Sequence, residues 1–244
     1  MKILILCIFD ETNRTNKLLQ IQRDNFVKND LIDYYFITYD PNLNEEFKLI
    51  NDTLYIKGNE SLLKILDKTI KAFRYFSAVK DYDFVIRTNV STAFNYNLLC
   101  KYLHNIPRKN MYIGGILYKL QSIDERSGIT NDNIEKYALR GLWFYQGTCI
   151  TLSLDVVKFI LDNEHNLTHE IIDDVSIALF IQKYLPSAYF KDTLSNMEFS
   201  YINDKNNIIY KPNTVIYRHK SLNGDEDPEN MINTFKLINA TLDN

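Results

Sequence analysis

The segment KILILCIF, residues 2–9, constrains the fold more than any other part of this chain. A run of apolar residues without alternation is what a strand needs when both faces of its sheet are covered, and such strands belong to mostly parallel sheets carrying helices on either side. The run then breaks into the polar loop DETNRTN, and the pattern turns helical around Lys17 to Lys28. Further strands are expected at 32–40 (IDYYFITYD), 53–58 (TLYIKG) and 83–89 (DFVIRTN). Between the last two lies the clearest helix: Leu62, Leu66, Ile70 and Phe73 recur at spacings that make one apolar stripe of a 3.6-residue period. The pattern goes on through a short helix near 95–104, strands at 111–117 and 146–153, helices at 154–163 and 171–185, and a late strand at 213–220. The final helix is marked by Asp227 as N-cap and Pro228 at its first position, with Met231, Ile232, Phe235 and Ile238 on one face. Alternation of this kind is α/β, and with no repeat or Pro/Gly-rich linker the chain reads as one domain over 1–244.

Several function classes are disfavoured. Twenty-eight basic against 31 acidic side chains leave a net charge of −3, which gives no electrostatic reason to expect nucleic acid. MKILILCIF is too short and meets Asp10 and Glu11 too soon to be a signal peptide, and no segment nears the roughly 20 apolar residues of a membrane span. A cytoplasmic location is expected, with Cys7, Cys100 and Cys149 as reduced thiols. Neither GxGxxG, nor a P-loop, nor GxSxG occurs, which argues against dinucleotide dehydrogenases, P-loop enzymes and α/β-hydrolases.

Ligands of open α/β sheets bind beyond the carboxyl ends of the strands. Polar groups fall at such ends at Asp10 to Arg14, at Arg87 to Ser91 and near Asp173-Asp174. Arg87 offers a fork of donors suited to phosphate, and Thr88, Asn89 and Ser91 can meet hydroxyls or phosphate oxygens. A plain capping role for Thr-Asn-Val-Ser is equally compatible with the residues. Asp173 and Asp174 could cap a helix or favour its dipole, or one could serve as a general base. His165 and His169 lack partners at metal spacing, and His219 stands between Arg218 and Lys220. The irregular stretch 118–143 has the character of a binding loop.

Three stretches together resemble the GT-A glycosyltransferases, most closely the β-1,3-glycosyltransferase group: NESLLKILDKTIKAFRYFSAVKDYDFVIRTNVSTAFN, FYQGTCITLSLDVVKFIL and IIDDVSIALFI. With the N-terminal β-α-β the likeness spans roughly residues 2–185. It implies a nucleotide-sugar donor, UDP-linked, bound by the 2–117 half, and a glycan, glycolipid or protein acceptor bound by the 118–244 half. The donor residues so implied are Asp10, Arg14, Asp40, Arg87, Thr88, Asn89, Ser91, Arg218 and Lys220, and the acceptor residues Tyr145, Gln146 and Gly147. Asp174 matches the position of the family's catalytic base in an inverting single displacement, with Asp173 beside it.

The chain departs from that pattern where such enzymes carry aspartates for a divalent cation: it has Asn89-Val90-Ser91. Hard cations prefer carboxylate oxygens. Either protein cations balance the diphosphate or Mn²⁺ or Mg²⁺ is held by other groups, His219 resembling the C-terminal histidine of such metal sites. A sugar-nucleotide or glycan-binding module on a decayed transferase scaffold is the alternative from a different class. A nucleotidyltransferase is a third, but its phosphate loop normally carries glycine, which FDETNRTNK lacks.

Overall fold

The computed structural model describes residues 1–26, 29–188, 199–202, 213–221 and 224–240. Its centre is a seven-stranded mixed sheet in the order β3-β4-β2-β1-β5-β10-β7. The strands are β1 (Ile3–Ile8), β2 (Ile32–Asp40), β3 (Phe47–Ile50), β4 (Thr53–Lys57), β5 (Phe84–Asn89), β7 (Tyr112–Gly114) and β10 (Cys149–Ser153). β4, β2, β1 and β5 run parallel, whereas β10 is antiparallel to β5 and β7, and β3 to β4. This is the α/β class expected.

Side chains alternate across β1, so the continuous apolar run feeds two cores. Ile3, Ile5 and Cys7 pack on one face with helices α1 (Asn13–Asn25), α3 (Tyr96–His104) and α7 (Asp227–Ala240). Leu4, Leu6 and Ile8 pack on the other with α2 (Ile65–Val79), α5 (Leu154–Asp162) and α6 (Asp173–Tyr184). Every β1 side chain is buried, as the absence of polar alternation requires.

Outside the large sheet lie two small ones. β11 (Phe199–Ile202), β12 (Ile216–His219) and β6 (Thr92–Phe94) form one; β8 (Leu117–Lys119) and β9 (Trp143–Tyr145) form a ribbon. The stretch expected as a single strand over 111–117 is thus divided between two sheets. The supposed irregular loop at 118–143 contains the end of β8, a 3₁₀ turn and the short helix α4 (Asn131–Lys136), and leads into β9. The edge strand β3 escaped sequence reading because most of its residues are exposed and its pattern is weak. The first helix starts earlier than expected, at Asn13, because Thr12 and Thr15 form a reciprocal capping box. Leu62, assigned to the apolar stripe of α2, lies in a preceding 3₁₀ turn and is 42% exposed. Ile232, assigned to the buried face of α7, is 39% exposed.

Candidate active site

The parallel strands β1, β2 and β5 all end on one side of the sheet. Because β10 is antiparallel, its beginning pairs with the end of β5, Cys149 lying opposite Thr88. That register carries the preceding Gln146-Gly147 to the strand ends. β12 runs antiparallel to β6 with Arg218 opposite Thr92, which brings Arg218 and Lys220 to the same place. A cleft of about 840 Å³ results, within the range of small-molecule sites.

Ten of the residues expected at the site line this cleft: Asp10, Arg87, Asn89, Ser91, Gln146, Gly147, Asp173, Asp174, Arg218 and Lys220. Five do not. Thr88 is fully buried and donates from Oγ1 to the Thr148 carbonyl at 2.7 Å, because strand alternation turns it to the face opposite Arg87. Tyr145 is fully buried with its ring edge-on to Tyr112. Arg14 ion-pairs with the buried Asp227, and so binds α1 to α7. Asp40 caps a turn, accepting the Asn42 N–H at 2.8 Å. His219 is fully buried, with Nε2 and Thr234 Oγ1 2.9 Å apart. None of these five side chains lines the cleft, and each makes the contact named within the fold.

The two aspartates at the start of α6 have different environments. Arg87 projects onto the face of the sheet covered by α2 and α6, where its Nε lies 2.8 Å from Asp173 Oδ2 and its Nη2 donates to Oδ1 at 3.1 Å. Thr69 Oγ1 also reaches Asp173 Oδ2, at 3.3 Å. Asp173 is wholly buried and Arg87 nearly so, a paired arrangement that buried charges require. Among the described residues no cation is ion-paired with Asp174 in this way. Its Oδ2 accepts the Gly147 N–H at 2.9 Å and its Oδ1 the Val175 N–H at 2.8 Å. Burial, then the neighbouring Asp173 charge, push its pKa up to about 7 against the opposing pull of Arg87 and the two N–H groups. Neither aspartate is the N-cap, which is Ile172.

The peptide at Gly147 joins these parts. Its N–H goes to Asp174, while its carbonyl accepts from Arg87 Nη1 and from Asn89 Nδ2, the latter at 3.0 Å. A Cβ at this position would crowd Arg87 Nη1, so any larger residue requires that guanidinium or the turn to shift.

Several cleft residues were missed, the charged pair Lys68 and Glu60 among them. Lys68 is 1% exposed, donating to the Phe9 carbonyl at 3.0 Å and pairing with Glu60 at 2.5 Å. The available signal was its place at the head of the helical stripe Lys68, Ala72, Phe76, where a cation begins an otherwise buried face.

The described residues at the cleft do not suit a divalent cation. Among the described residues no group of three or more His, Cys, Asp or Glu side chains is placed to hold a metal. His219 faces Thr234. Of the cleft carboxylates, Glu60 is held by Lys68, Asp173 by Arg87, Asp10 by the hydroxyls of Thr12 and Thr15, Asp124 by the Ser127 hydroxyl, and Asp174 by the Gly147 and Val175 N–H groups.

The model of the family described as "Galactosyltransferase" matches residues 38–186. No curated protein matches the chain. Among solved structures, the chain is similar to the galactosyltransferase LgtC in complex with donor and acceptor sugar analogs, at 8% identity and a TM-score of 0.43, over 99% of this chain and 96% of that one. An active-site mutant of LgtC is similar over the same shares, at 10% identity and a TM-score of 0.41. No helix among the described residues is long and apolar enough to cross a membrane.

Proposed function

We propose, from the premise that this chain belongs to the galactosyltransferase family, that it moves a sugar from a nucleotide-diphosphate donor to a hydroxyl acceptor with Asp174 as general base. Glycosyl transfer is the activity of the family. The donor, its UDP moiety, the acceptor and the stereochemistry are our reading. The observation that carries it is the contrast within the Asp pair: both line the cleft, but Asp173 is committed to Arg87, whereas Asp174 accepts two backbone N–H groups and has its proton affinity raised towards neutrality. A base works best with a pKa near the operating pH.

In the reaction proposed, the acceptor oxygen attacks the anomeric carbon while its proton passes to Asp174. The bond from that carbon to the diphosphate oxygen breaks, and the diphosphate leaves with the electron pair. A single displacement inverts the anomeric centre. Hydrogen-bond donors set in place beforehand stabilise the leaving charge. The donor would lie over the ends of β1 and β5, near Asp10, Asn89 and Ser91, and the acceptor would enter past Gln146 and Gly147.

Replacing Asp174 with Asn tests the assignment. Turnover is expected to fall about 100- to 10,000-fold with donor affinity retained. The wild type should lose kcat on the acid side of about pH 7, because the base must be ionised. Near-normal turnover in the variant would remove Asp174 from the reaction, and a retained anomeric configuration in the product, read by NMR, would remove the single displacement.

A further inference from the structure

We propose that the diphosphate of the donor is neutralised by the Arg218 guanidinium in place of a divalent cation, so that donor binding is independent of metal. The proposal rests on the nucleotide-sugar reading above and goes beyond it in naming what meets the phosphate charge.

Arg218 Nη1 donates to both Asn89 Oδ1 and Ser91 Oγ. These are the side chains that stand where related enzymes are expected to present metal-binding carboxylates, and here a cation built into the chain already engages them. The network around Asn89 fixes the amide in this sense. Its Oδ1 also accepts from Ser91 Oγ and Thr92 Oγ1, each at 3.0 Å, while its Nδ2 donates to the Gly147 carbonyl. A carboxylate at position 89 would set an oxygen against that carbonyl, so this geometry calls for an amide. A metal ion directed to Asn89 and Ser91 would meet the Arg218 charge instead of an anionic ligand set. Both oxygens are neutral, and hard cations take carboxylates in preference.

Position favours the same conclusion. Arg218 lies on β12 opposite Thr92, is partly exposed and lines the cleft, with the exposed Lys220 two residues on along the same wall. Guanidinium is the side chain best matched to phosphate oxygens, and it keeps its charge at any working pH.

Titration calorimetry of the intact chain with UDP and with inorganic pyrophosphate, in EDTA and in Mn²⁺, tests this. The expected result is equal affinity in both buffers for the wild type. Arg218→Ala should weaken binding in EDTA by about 10- to 100-fold, the loss of a charge-assisted contact. Arg218→Lys should recover part of that loss, which separates charge from misfolding. In Arg218→Ala/Ser91→Asp, Mn²⁺ should strengthen binding where it does nothing for the wild type. Wild-type binding at least about tenfold weaker in EDTA than in Mn²⁺, or unchanged binding by a folded Arg218→Ala, would overturn the inference while leaving the transferase reading in place. Failure of UDP, other nucleoside diphosphates and pyrophosphate to bind in either buffer would overturn both.

Discussion

At the scale of single residues, the Gly147 peptide shows how one small side chain can govern a site. Three contacts converge on it, from Asp174, Arg87 and Asn89, and they tie the candidate base to the end of β5. An added methyl would press on a guanidinium that is buried and ion-paired, and so unable to swing away cheaply. Gly147→Ala should therefore displace Arg87 or the 146–148 turn. Misplacement of about 1 Å in a catalytic group costs on the order of 100-fold, so turnover should drop by about that factor. Stability should fall by only about 1 to 3 kcal/mol, the usual range for overpacking. Steady-state kinetics and urea denaturation read the two effects separately. Wild-type activity in the folded variant would show that the peptide does not position Asp174. The same principle separates the two aspartates: adjacent in sequence and identical in type, they differ because strand alternation delivers Arg87 to only one of them.

At the scale of elements, the strands and helices around the site were largely legible, because KILILCIF and DFVIRTN carry an unbroken apolar signal that only a sheet covered on both faces explains. The cleft-facing groups at Asn89, Ser91, Gln146, Gly147 and Asp174 followed from the strand ends and the family resemblance. Tertiary pairing was not legible. Arg14 and His219 have the composition of ligand-binding groups, but their commitments are to Asp227 and Thr234, far away in sequence or on another element. Asp227 itself looked like an N-cap; it lies within the first turn of α7, fully buried, and accepts the Ser221 N–H at 2.7 Å as well as Arg14. It thus docks α7 onto the segment that follows β12. Asp227→Ala should remove a charge-assisted contact from this junction, at about 1.5 to 3 kcal/mol. Asp227→Asn should cost less, since its amide oxygen can still accept from Ser221. Chemical denaturation of both variants orders the effects, and equal stability of the Ala variant and the wild type would assign the junction to apolar packing alone.

At the scale of the whole molecule, two buried groups load the stability curve in opposite directions. His219 is held neutral by burial, its pKa lowered from 6.5 to about 4 despite a favourable Asp227 charge. Between those values the unfolded chain binds a proton that the folded chain refuses, so this group makes stability rise with pH from about 4 to 6.5 and withdraws it on acidification. Asp174 does the reverse. Its folded pKa of about 7 lies above the ordinary 3.8, so the folded state keeps a proton that the unfolded state has released. Its contribution is complete at the acid end and is lost as pH climbs through about 7. One proton of difference is a slope of about 1.4 kcal/mol per pH unit, and the two slopes oppose each other over most of the same interval. Remaining groups contribute a background common to wild type and variants, which difference profiles remove. The midpoint of thermal unfolding, followed from pH 4.5 to 6.5 (an interval of about two units, set by the two titrations), should accordingly tilt upward with pH in Asp174→Asn relative to wild type. It should tilt downward in His219→Gln, which retains a side-chain nitrogen for Thr234. The double variant should return to the wild-type slope, as expected for sites that do not share a contact. Parallel curves for Asp174→Asn and wild type would mean that Asp174 titrates at an ordinary carboxylate value, and the physical basis for its role as a base near neutral pH would be gone.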